Sequence, residues 1–174
     1  MSSTATSSGR IAAALLGELE NEAKVTRTCI ERVPADKFDW KPHEKSMTMG
    51  HLASHCGEMF GWTKETLKSD VLDFATMDYK PFEPKSSEEL LAFFDDHVAK
   101  AKAILAETSD ETFSQDWTMR NGDQVYFTMP KVAVMRTFVM NHIIHHRGQL
   151  SVYLRLNDIP VPSIYGPSAD EGSM

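Results

Sequence analysis

Four stretches of this 174-residue chain repeat their apolar residues near the helical period of 3.6, and no strand-helix-strand alternation separates them. A one-sided apolar stripe must be buried against another element, so four of them predict an all-α fold, an up-down four-helix bundle. In the first stretch, roughly residues 9 to 33, Ile11, Leu15, Leu19, Thr26, Cys29, Ile30 and Val33 share a face before Pro34 stops the helix. Glu22 intrudes on that stripe. The second helix begins near Ser46 or Thr48, either of which can cap it, with Leu52, Met59 and Trp62 on its inner face.

Two prolines in "YKPFEPK" break the chain, and Ser86 with Glu89 forms a capping-box signature for a third helix striped by Leu91, Phe94, Val98, Ala101 and Leu105. Between it and the last helix, Asn121-Gly122 lies between two short alternating segments, which predicts a small β-hairpin. Pro130 suits the first turn of the fourth helix, which should run to about Asn157 before Pro160 and Pro162. The chain is expected to be one domain over 1–174, with 1–8 disordered and 160–174 an extended tail.

Composition narrows the functions available. A formal net charge of −7 with 18 basic residues provides no cationic footprint for phosphate backbones, so nucleic acid is not expected as a partner. The early apolar run "IAAALLG" is too short for a membrane span, and no membrane partner is expected. Cys29 and Cys56 fall inside apolar helical patterns, which suits buried free thiols and a cytoplasmic setting.

The chemistry concentrates in "NHIIHHRGQL", residues 141–150. On a helical wheel His142 and His146 lie about 40° apart, on the seam formed by Met135, Val139, Leu150 and Tyr153, whereas His145 falls about 60° to the other side. Imidazoles one turn apart can aim their nitrogens at one ion, as in HExxH helices. Position 143 is isoleucine, however, so the general base of that motif is missing. The second helix supplies a third imidazole: His55 sits on the seam of Leu52, Met59 and Trp62, and His51 lies toward the flank. Three imidazoles leave an open coordination position and suit zinc, nickel, iron or copper without choosing between them. A hydrogen-bonded core histidine is the competing reading of each residue taken singly.

"WKPHEKSMTMGHLASH" and "HIIHHRGQLSVYLR", together with the helical pattern, closely resemble the DinB-like (DNA-damage-inducible) superfamily over nearly the whole chain. The resemblance implies a four-helix bundle of that type, usually dimeric, with a divalent metal on His55, His142 and His146. Zinc or nickel is expected first, with iron, manganese and copper remaining open. It also implies a thiol S-transferase in which a metal-activated thiolate attacks a small electrophilic molecule. The alternatives are a hydrolase using metal-bound hydroxide and a non-catalytic metal- or ligand-binding stress protein. The expected partners are a small-molecule substrate, such as a low-molecular-weight thiol, and a second copy of the chain.

Supporting roles are assigned from position. Gln149, at about −20° on the wheel, and Glu22, on the inner stripe of the first helix, are the candidate catalytic residues. Glu58, one turn after His55, has the position to orient a ligand imidazole or accept a proton, against the stronger reading of a solvated flank. Arg147 points away from His146 and suits a carboxylate on a neighbouring helix. Tyr165 in the tail is open between covering the site mouth and reaching a second subunit.

Overall fold

A computed structural model of the chain describes residues 9–172. The disorder expected of residues 1–8, and the last two residues of the tail, fall outside the described residues. Helix α1 spans Arg10–Ile30 without a side-chain cap of its own. Its first amides, Arg10 N and Ile11 N, donate instead to the two oxygens of Asp110, at 3.0 and 2.9 Å. That close approach requires glycine at position 9, where a Cβ would fall 2.0 Å from Asp110 Oδ1.

Helix α2, Met49–Leu67, is capped by Thr48, whose hydroxyl accepts from the His51 amide. Helix α3, Ser87–Glu107, starts where the capping-box signature places it. Ser86 Oγ accepts from Glu89 N, and the Glu89 carboxylate reaches back to the Lys85 amide at 2.9 Å. A single turn, α4 (Asp110–Phe113), leads into strand β2 (Asp116–Asn121) and strand β3 (Gln124–Pro130), and Gly122 takes φ +57° at the turn. Next come α5 (Lys131–Val134), a π-helical stretch (Met135–Met140) and α6 (Asn141–Leu156). The wide π turns bury Met135, Val139 and Met140 immediately before the histidines.

The all-α, four-helix class expected from periodicity needs correction. Besides its helices the chain builds a three-stranded mixed sheet in which a short strand β1 (Val71–Asp73) lies beside β2, giving the order β1-β2-β3, which makes it an α/β structure. The hairpin β2-β3 is antiparallel; β1 joins it in parallel with Leu72 opposite Met119. Three residues are too few to display an alternating pattern. Strand β1 exists because β2 offers it an edge, where Thr118 N donates to Asp70 O and Phe74 N donates to Arg120 O.

The sheet has its own small core of Leu72, Trp117, Met119 and Val134, against which Trp62 and Phe138 pack. Trp117 is fully buried, and its indole N–H donates to the Glu65 carbonyl at 3.0 Å, tying β2 to α2. The main core, which includes Leu19, Leu52, Phe60, Phe94 and Leu150, lies between α1, α2, α3 and α6. Beyond α6 the tail follows an irregular path, with Ile159, Val161 and Ile164 packed on that core and ion pairs Arg155–Asp170 and Arg32–Glu171 outside it. Among the described residues no helix is long and apolar enough to cross a membrane.

Candidate functional site

Helices α2 and α6 face each other, and their inward residues bring His55, His142 and His146 together. Each imidazole offers one ligand atom, and the three atoms lie within 4.8 Å of one another. Ring centroids are 5.4 Å apart for His55 and His142, 4.7 Å for His55 and His146, and 4.6 Å for His142 and His146. Ligands on a tetrahedral ion with bonds of about 2.0–2.1 Å stand about 3.3 Å apart, a gap that small rotations of the three rings can close.

The outer nitrogens are already engaged. His55 Nδ1 lies 3.0 Å from Glu58 Oε2, and His146 Nδ1 lies 2.8 Å from Gln149 Oε1. Both contacts occupy Nδ1 and leave Nε2 available as a ligand atom, the division of labour metal-binding imidazoles show. Burial pushes the His146 imidazole down to about 4, with His55, His142 and His145 adding to the effect against the hydrogen bond to Gln149. His142 is lowered for the same first reason, burial, followed by its proximity to His55. Both are therefore neutral near pH 7 and have lone pairs for a cation. On donor type, protonation and outer contacts, these residues fit a divalent metal ion.

The surroundings divide the other candidates. His51 stands 6.3 Å from His55 and His145 stands 4.9 Å from His146, centroid to centroid, and neither belongs to the ligating group. Gln149 touches the site through His146. Glu22 is used elsewhere: its Oε2 accepts from Arg147 Nη1 at 2.5 Å and from the Tyr165 hydroxyl at 2.8 Å. Arg147 pins a carboxylate on a neighbouring helix, as its position on the wheel suggests, with the Tyr165 ring 4.8 Å from its guanidinium carbon. The tail tyrosine thus covers this ion pair. Phe138, which packs on the sheet core, sets its ring 5.6 Å from His142 and forms one apolar wall.

Glu58 differs most from its sequence reading. It is buried, at 7% exposure, and accepts from the Tyr79 hydroxyl at 2.8 Å and the Phe82 amide at 3.1 Å as well as meeting His55. Burial alone would push its carboxyl up, but these hydrogen bonds hold it below the ordinary glutamate value. Tyr79 and Phe82 come from the proline-broken segment that sequence reading treats only as a break. The one available signal was the spacing of Glu58, three residues after His55. Cavities of about 450 Å³ and 520 Å³ flank this segment, one lined by Glu58, Tyr79 and His97, the other by Phe38, His51 and Phe82.

Comparison with known proteins agrees with this architecture. A family model described as the DinB family matches residues 1–173. Two uncharacterized proteins of Bacillus subtilis are similar in sequence. YjoA is 27% identical over 136 residues, covering 75% of this chain and 80% of that protein. YrdA is 26% identical over 153 residues, covering 87% and 86%. Among solved structures, that of the DinB-like protein YjoA superposes with a TM-score of 0.66 at 21% identity, covering 84% of this chain and 95% of that one. A DinB-like protein from Bacillus cereus gives 0.68 at 19% identity, covering 88% and 97%. At these identities the structural likeness speaks for the fold.

Proposed function

The chain belongs to the DinB family, and from that premise we propose that it is a divalent-metal-dependent enzyme, a thiol S-transferase acting on a small electrophilic molecule. The observation that carries this reading is the meeting of three imidazoles from two helices, two of them held neutral by burial and two with their outer nitrogens engaged. His55, His142 and His146 would hold the cation, with zinc or nickel first and iron, manganese or copper after them. A cation held there supplies Lewis acidity, which lowers a thiol's pKa so that its sulfur is a thiolate nucleophile at neutral pH.

The chain's own residues have distinct tasks. Gln149 orients His146 through the 2.8 Å contact at Nδ1. Phe138, backed by Trp62 at 4.9 Å, keeps water from one flank of His142. Glu22, committed to Arg147 and Tyr165, holds α1 to α6 and is left out of the reacting set. In this reading the enzyme works in the cytoplasm as a homodimer.

The test begins with metal analysis of protein purified without added ions, followed by turnover assays with glutathione, bacillithiol and mycothiol against simple electrophiles. Near-stoichiometric metal and thiol-dependent loss of the electrophile are expected. Metal without turnover by any thiol would overturn the transferase reading in favour of a hydrolase or a metal-binding stress protein, and ester hydrolysis assays would separate those two. Wild-type protein without metal would overturn the centre itself.

A further inference from the structure

The Glu58 carboxylate uses both oxygens as acceptors: Oε2 faces His55 Nδ1 and the Tyr79 hydroxyl, and Oε1 takes the Phe82 amide. Both oxygens already serve as acceptors for other donors, so the geometry sets His55 Nδ1 as a third donor to this carboxylate and leaves Nε2 free of it. Two of the three donors belong to the stretch between β1 and α3, which has no helix or strand of its own around Tyr79 and Phe82. That stretch is in turn anchored by the Phe82 ring, stacked on Phe93 of α3 at 4.1 Å with the planes 6° apart.

We propose that Glu58 is the positioning residue of the metal centre, fixing His55 in the Nδ1–H tautomer with Nε2 toward His142 and His146, and that Tyr79 and Phe82 hold this carboxylate in place. The proposal rests on the metal-centre reading above and adds to it a second residue layer and a surface segment that controls it. Only a carboxylate of this length does the task. Glutamine would offer one oxygen and one NH2. With the oxygen toward His55, the NH2 meets the Phe82 N–H donor to donor; with the amide turned over, the NH2 faces His55 and selects the opposite tautomer. Aspartate falls one methylene short of the Phe82 amide. The segment is thereby coupled to the metal ligand: removing the Tyr79 hydroxyl loosens one of the two groups that share Oε2.

The test uses the full chain in two forms. In metal-free wild type, nitrogen-15 imidazole spectra should show His55 protonated at Nδ1. Glu58→Gln and Glu58→Ala should convert it to the Nε2–H form or a mixture. Cobalt titration of the same proteins should show affinity about 10–100-fold weaker in both variants, with an altered visible spectrum. Tyr79→Phe should keep the tautomer and weaken cobalt less. Should Glu58→Ala fail to fold, Glu58→Gln and Tyr79→Phe decide the matter. A wild-type His55 protonated at Nε2, or variants that melt earlier with tautomer and cobalt affinity unchanged, would overturn the proposal and leave Glu58 a purely structural residue. Wild type that binds no cobalt defeats the metal reading, whereas the tautomer result still decides whether Glu58 positions His55.

Discussion

Arg147 Nη1 lies 2.5 Å from Glu22 Oε2, joining α6 to α1 through an ion pair in which both residues are buried. Arg147 and His146 are neighbours in sequence, yet they point into different parts of the structure: one holds the helices together and the other faces the candidate metal centre. The Arg147 Nη2 atom has no partner among the described residues, so Glu22 and Thr26 carry the solvation of this guanidinium almost alone.

Glu22→Ala should therefore cost about 3–5 kcal/mol, because it strands a buried cation. Urea denaturation measures that loss. Metal content per folded molecule should remain at the wild-type value, and a matching loss of metal would place Glu22 at the site after all.

Single alanine substitutions at His55, His142 and His146 should each abolish stoichiometric metal, read by mass spectrometry of the purified proteins. His51→Ala and His145→Ala should retain it. Retention in the double variant His142→Ala/His146→Ala is the outcome that contradicts the ligand set.

Both thiols should resist modification in the native protein. Burial pushes Cys29 up to about 11 and Cys56 up to about 12, so at pH 8 about one Cys29 in a thousand is thiolate. The sign is that of a raised acid: reactivity is low below the shifted value and grows as pH climbs toward it. A disulfide reagent at pH 8 should label neither residue until denaturant is added, then both. Prompt labelling of folded protein would show that the burial is wrong.

Trp117→Ala should cost about 3–5 kcal/mol, since the ring is fully buried in the sheet core and its N–H ties β2 to α2. Trp62 and Phe138 pack on the same cluster, so the loss should reach the wall beside His142. The expected readout is a lower melting temperature together with weaker metal binding, whereas the Glu22 variant shows only the first.

Some of this was legible in the residues themselves. Local rules act over a few positions, so the caps at Thr48 and Ser86, the Asn121-Gly122 turn and the helix stop before Pro160 all follow from neighbours in sequence. The phase of α6 distinguishes His142 and His146 from His145 because 100° per residue is a property of the backbone, and the same reasoning selects His55 over His51. Strand β1 was not legible, because three residues carry no period and depend on a partner 47 positions away in the Val71–Thr118 pairing. Nor was the environment of the two acids. Glu22 and Glu58 each stand on a helix at a plausible distance from a histidine, and only the packing of other segments separates them. Arg147 and the tail claim Glu22, while a loop without regular structure delivers Tyr79 and Phe82 to Glu58. Periodicity determines which side of a helix turns inward; which groups meet there is decided by long-range contacts, whose energies depend on distances that no local pattern encodes.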